Sequence, residues 1–128
     1  MGWSNFIAIG IGGACGCWLR WGLGLLYNPV FPTLPLGTLA ANLTGGLLMG
    51  IMLALVDHFQ TLPPALRLAI ITGFLGGLTT FSTFSAEAST LLLRQQYLWF
   101  GAHVAAHLAG TLAMTIAGLA FTRSLLRH

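Results

Sequence analysis

Lysine is absent from this chain of 128 residues, and acids nearly so: Asp57 and Glu87 stand against five arginines. Charged side chains make up 5% of the sequence, where a soluble domain carries roughly 25%. So few charges cannot cover a water-facing surface, which excludes a soluble globular domain. A net charge of +3 is far too small for a nucleic-acid footprint. Cysteine is equally scarce. Cys15 and Cys17 lie two apart, and a helix points such a pair to different sides. An intrachain disulfide is therefore not expected, and both are read as buried small apolar residues. The N-terminus has no basic n-region, so no cleaved signal peptide is expected. No nucleophile stands at a sensible spacing from a base, and no phosphate-binding loop is present, so an enzyme is not expected.

What remains is apolar: 56% of the residues are hydrophobic and the mean hydropathy is +0.86. The reading is an all-α membrane protein, with residues 1–128 forming a single integral membrane domain. Uncharged runs predict four transmembrane helices, at about 3–27, 36–56, 66–93 and 97–122. The turn NPVFPTLP (28–35) separates the first pair, and DHFQTLPPALR (57–67) is read as a loop with a Pro-Pro stop. RQQ (94–96) links the last two spans.

An even number of spans puts both termini on one side, with Arg67, Arg123 and Arg127. The other side holds Arg94, and Arg20 if it snorkels. Orientation follows such Arg and Lys bias, and this bias is weak. Dual topology, and with it an antiparallel homodimer, is the expectation. Small residues recur at spacing four: Gly12 and Gly16; Asn42, Gly46 and Gly50; Gly73 and Gly77. Such faces let helices approach closely in lipid.

A polar group in hydrocarbon is costly and is a functional suspect by default. The stretch GGLTTFSTFS (76–85) puts glycines and hydroxyls in the third span. Gly76-Gly77 weakens a helix, and hydroxyls compete for backbone groups. A break there would free carbonyls able to hold a cation. The alternative is an intact helix with hydroxyls bonded to the preceding turn, and composition does not choose between them. Phe81 and Phe84 share a helix face, among Thr79, Ser82, Thr83 and Ser85. Ring edges can face an anion. Asn42 offers two N–H donors, suited to an anion or to an interhelical bond. Arg20 stays charged and either guards an anion entrance or snorkels. Glu87 is read as a partner for an Arg or Ser, or as a vestibule residue. His103 and His107 have the i, i+4 spacing of a metal pair. No third ligand stands at a suggestive spacing, so a pore-facing or interhelical role is preferred for them.

The run GFLGGLTTFSTFS (73–85) resembles the signature of the Fluc/CrcB fluoride channels. So do Gly12, Gly13, Gly16 and Arg20 in the first span and GTLAANLTGG (37–46) in the second. The resemblance covers the whole chain. It implies a fluoride channel of the bacterial cytoplasmic (inner) membrane, giving passive fluoride export. It also implies an antiparallel dual-topology homodimer with two pores. The aromatic box would be Phe81 and Phe84, the pore amide Asn42, and the hydroxyl track Ser82 and Thr83. The acid after the motif would be Glu87. A structural sodium ion would sit at the dimer centre, held by backbone carbonyls at a break in the third helix, at positions matching Gly76 and Thr79. Partners would be a second copy, the lipid bilayer and fluoride.

Span four departs from that pattern. Its pore-facing positions would be His103, His107 and Thr111, where a Tyr, a Ser and a small polar residue are expected. Thr111 fits and the two histidines do not. A neutral imidazole donates one hydrogen bond and a protonated one two, so conduction is expected to vary with pH. Fluoride flux between about pH 5.5 and 8 tests this, and a flat profile removes it. Two other classes compete with this reading. A proton-coupled multidrug exporter needs a membrane acid, for which only Glu87 serves. A non-transporting membrane subunit would use Asn42, Phe81 and Phe84 for packing alone.

Overall fold

The computed structural model describes residues 2–127, and those residues contain helices and turns but no strand. Helix α1 (Trp3–Tyr27) ends in a short 3-10 turn, Asn28–Val30. Pro29 sits inside that turn, where the lost N–H matters least. Helix α2 is Leu36–His58. Its first N–H groups have no partner within the helix. The Asn28 side chain serves two of them, as Gly37 N and Thr38 N donate to Oδ1 at 2.7 and 3.2 Å.

The third span starts at Pro64, in the first helical position, which proline favours. Pro63-Pro64 therefore opens a helix, where the sequence reading had it as a stop within a loop through Arg67. Helix α3 (64–78) keeps α geometry over Pro64–Arg67, widens to π geometry over Leu68–Leu75, and returns to α over Gly76–Leu78. Thr79 and Thr80 are both extended, with ψ of 153° and 120°. Helix α4 (Phe81–Leu93) follows. A turn with Gln95 at φ 60° leads to α5 (Tyr97–Leu126). The described residues thus contain four apolar stretches long enough to cross a membrane: Trp3–Val30, Leu36–His58, Pro64–Leu93 and Tyr97–Leu126.

Glycine decides two seams. Between α1 and α3, a Cβ on Gly77 would meet the Gly13 carbonyl oxygen at 2.5 Å, and one on Gly73 the Ile9 oxygen at 2.7 Å. Gly12 and Gly16 likewise face the Ala69 and Phe74 carbonyls. Between α2 and α5, Gly50 faces the Thr115 carbonyl and Gly118 the Leu47 carbonyl. In lipid, close backbone packing of this kind replaces hydrophobic burial as the force between helices. Gly76-Gly77 is helical, and the extended residues are the threonines after it. Gly77 serves contact with α1.

The interior is mostly polar or small. Thr38, Asn42, His103, His107 and Thr122 are buried, beside Ala41, Leu75, Leu78 and Phe84. Large apolar side chains such as Trp3, Trp18, Leu98 and Phe121 point outward. That inversion suits hydrocarbon surroundings. Cys15 and Cys17 are also exposed, unpaired, on α1. They were expected to be buried, but Gly16 between them takes the buried α3-facing position, and Cys17 reaches only the edge of α3 at Gly77.

Candidate functional site

The site begins at Thr79 and Thr80, where the backbone turns extended: Thr79 N still donates to Leu75 O at 3.0 Å, and Thr80 N leaves the helical ladder. Buried backbone groups need partners, and Asn42 on α2 supplies them. Its Nδ2 donates to Thr80 O at 3.1 Å, and Thr80 N donates to its Oδ1 at 2.8 Å. The pairing fixes which end of the amide is nitrogen. The same Nδ2 donates to His107 Nδ1 at 2.9 Å. Both Asn42 donors are therefore committed to protein acceptors, not free for an anion. Thr80 then starts α4 by capping it, accepting from Thr83 N at 3.1 Å. Thr79 turns its hydroxyl back to Leu75 O at 2.8 Å.

One turn into α4, Phe84 is 6% exposed and packs on both histidines of α5. Its ring lies 5.2 Å from that of His103, nearly parallel, and 4.8 Å from that of His107. Phe81 lies 5.4 Å from Phe84 but is 70% exposed. The two rings share a face at different depths. A cavity of about 320 Å³ opens beside them, lined by Asn42, Thr80, Phe81, Phe84, His107 and Thr111 among others.

Glu87 follows one turn later. Thr38 donates to its Oε2 at 2.7 Å, and His103 Nε2 lies 3.3 Å from Oε1. That last pair is close but makes no aligned hydrogen bond. Its partners are thus a Thr and a His, not the expected Arg or Ser. Glu87 also lines a cavity with Arg94 and Gln96, which join α4 to α5, and Pro32 and Thr33 before α2. The acid therefore borders the end of the bundle. Arg20 neither pairs with an acid nor snorkels outward. Its Nε donates to Gly77 O at 3.0 Å, next to the extended pair. It lines a separate cavity with Asn28, Thr38, Thr80 and Thr83.

Asn42, Thr80, Phe84, Glu87, His103 and His107 thus form one connected cluster. Thr111 joins it through the cavity, and Thr83 stands on the Arg20 side. Ser82 is exposed, and its hydroxyl lies 3.3 Å from that of Thr80. Gly76 lies outside the cluster, at the end of α3. Thr38, Thr80 and Asn28 also belong to the site, although none stands out in the sequence. Thr38 sits four residues before Asn42, hence on the same face of α2, and that spacing could have marked it. Asn28 and Thr80 act through backbone geometry, which leaves no spacing to read.

Comparison with known proteins covers nearly the whole chain. Residues 7–119 match the family described as CrcB-like protein, Camphor Resistance (CrcB). The chain belongs to the CrcB-like family. Among similar family members, the fluoride-specific ion channel FluC of Nitrosospira multiformis is 58% identical over 128 residues, all of both chains. Its counterpart in Aromatoleum aromaticum is 56% identical over 115 residues, 90% of this chain and 88% of that one. The one in Cupriavidus necator is 53% identical over 119 residues, 93% of this chain and 94% of that one.

Proposed function

We propose that this CrcB-like protein is a fluoride-specific ion channel, giving passive export of fluoride across a bacterial cytoplasmic membrane. The observation that carries the reading is the end-to-end likeness to the Nitrosospira channel, at 58% identity. The polar interior supports it. Fluoride is small and tightly hydrated, so a path must replace its water with donors at each step, strongly enough to admit it and weakly enough to release it. Arg20, Thr80 and Thr83 meet in one cavity, and Phe81, Phe84, His107 and Thr111 in another.

Asn42 sets the chemistry of the second cavity indirectly. An amide nitrogen only donates, so His107 Nδ1 accepts, and the proton of the neutral ring sits on Nε2. Nε2 is buried without a hydrogen-bond partner. His107 thus offers the free N–H that Asn42 does not. Phe84 holds both imidazoles in place by packing on them.

The channel is proposed to work as an antiparallel, dual-topology homodimer with two pores. The exposed Phe81 ring supports this, because one copy leaves it uncovered beside the cavity. A central sodium ion is part of the proposal. Carbonyl oxygens suit a hard cation, and the C-terminal end of a helix is the negative end of its dipole. Gly76 lies in the last turn of α3, and Thr79 turns its carbonyl off the helical direction; the Arg20 guanidinium already sits on the adjacent Gly77 carbonyl. These residues fit the ion, which would supply positive charge at the dimer centre.

Nothing favours an exporter. Its one membrane acid, Glu87, is held between Thr38 and His103. The test is anion efflux from liposomes holding the purified protein. Rapid fluoride efflux without chloride efflux is expected. Equal passage of both ions, or of neither, would reject the channel.

A further inference from the structure

Three buried side-chain atoms in the described chain have no hydrogen-bond partner: Glu87 Oε1, His103 Nε2 and His107 Nε2. They belong to residues from two helices that converge at one point. One ligand atom from each of Glu87, His103 and His107 lies within 4.8 Å of the others. The two histidines are 2% and 3% exposed. Leaving such atoms unpaired is costly, and three together call for a shared occupant. The i, i+4 histidine pair lacked a third ligand in the sequence; the fold brings Glu87 to it from α4.

We propose that Glu87, His103 and His107 form a binding site for a divalent transition metal, with Zn²⁺ the best match. Two imidazoles and one carboxylate are a set that zinc accepts, with a fourth position left open. Zinc–ligand bonds of about 2.0–2.2 Å put tetrahedral ligand atoms roughly 3.4 Å apart. The observed spread of up to 4.8 Å is wider than that, so binding would have to draw the carboxylate of Glu87 and the two imidazoles together. Outer contacts already orient the carboxylate, through the 2.7 Å bond from Thr38. Metal on His107 Nε2 would need the ring proton on Nδ1, opposite the Asn42 Nδ2 donor, so the Asn42–His107 bond would be given up. Asn42 keeps its two bonds to Thr80. Glu87 borders the cavity at the end of the bundle with Arg94 and Gln96, the side from which an ion would approach. On the proposed channel function, the ion would occupy the His107 donor and draw fluoride onto its open position. Bound metal would thus block conduction.

The test is a Co²⁺ and Zn²⁺ titration of the full-length protein in detergent. The exposed Cys15 and Cys17 are replaced by alanine, so that thiolates do not compete. One Co²⁺ per chain is expected, with the visible absorption of a tetrahedral nitrogen–oxygen site and displacement by Zn²⁺. Glu87→Gln, which keeps the shape of the side chain, and His103→Asn each abolish that band. Thr38→Val weakens binding about 10-fold through the carboxylate it orients. No stoichiometric binding, or binding that Glu87→Gln and His103→Asn leave unchanged, overturns the site and leaves a shared water as the occupant. Zn²⁺ added to liposomes should then stop fluoride efflux, and efflux unaffected by saturating Zn²⁺ overturns the block. If the metal-free protein passes no fluoride, the channel reading fails, while the titration still decides the site.

Discussion

Asn42 is the most consequential single residue, because it completes the backbone of another helix. Its amide takes both polar groups of Thr80 and one nitrogen of His107. Asn42→Ala would leave those groups buried and unpaired, at a cost of roughly 2–4 kcal/mol. Thermal unfolding in detergent should show the loss, and fluoride efflux should fall with it. A variant as stable as the parent would mean that Thr80 finds other partners. The two phenylalanines separate stability from flux. Phe84 is packed on both imidazoles, so Phe84→Ala should destabilise by about 3–5 kcal/mol. Phe81 is largely uncovered, so Phe81→Ile should change the stability of the chain by no more than about 0.5 kcal/mol. Its fluoride flux should nevertheless drop steeply, and unchanged flux would remove Phe81 from the path. Asn42, both phenylalanines and the histidines stood out in the sequence because they are polar or aromatic among aliphatics. Their partners did not. Thr80 meets Asn42 across 38 positions and Thr38 meets Glu87 across 49. Local spacing carries no information about pairs that only the packed fold creates.

At the scale of the helix, the apolar runs were legible because a bilayer demands them. The starts of α1, α2 and α5 fall where the uncharged runs begin. The third span was less so. Two prolines read as a stop, yet proline in the first turn is compatible with a helix, and α3 begins there. The glycine pair drew attention as a weak point, but the backbone turns extended two residues later, where Asn42 can pair with it. The glycine seams make a direct prediction. A Cβ at Gly50 would strike the Thr115 carbonyl on α5, which is backbone and cannot rotate aside. Gly50→Ala should therefore cost about 1–3 kcal/mol as the helices are forced apart. At Gly101, nothing lies within 4 Å of an added Cβ. Gly101→Ala should be neutral or stabilise by up to about 1 kcal/mol through helix propensity. Paired melting curves of the two variants decide the matter. Equal effects would mean that helix propensity, not contact between α2 and α5, governs both positions.

For the whole molecule, charge sets how the chain enters the membrane. Asp57, His58, Arg123 and Arg127 line one cavity, at the end where α2 and α5 finish. Arg94 lies with Pro32 and Thr33 at the opposite end. Arg20 holds a carbonyl of α3 in the folded chain. That carbonyl does not exist in its helical place while α1 is being inserted, so Arg20 still counts toward the charge of its end at that stage. The two ends are then nearly matched, and no strong bias orients the chain. The proposed antiparallel dimer needs this balance, since it requires copies of both orientations. A reporter fused to the C-terminus should therefore be active on both sides of the membrane. Replacing Arg123 and Arg127 by glutamine should tip insertion toward placing the Arg94 end in the cytoplasm, and should reduce dimer yield and fluoride efflux together. Co-expression with a chain carrying Gln95→Arg and Gln96→Arg would not restore efflux, because those charges favour the same orientation. Co-expression with a chain given extra arginines after Leu126 would restore it. A reporter active on one side only in the unaltered protein would reject the antiparallel arrangement, and the two pores would have to be built from parallel copies.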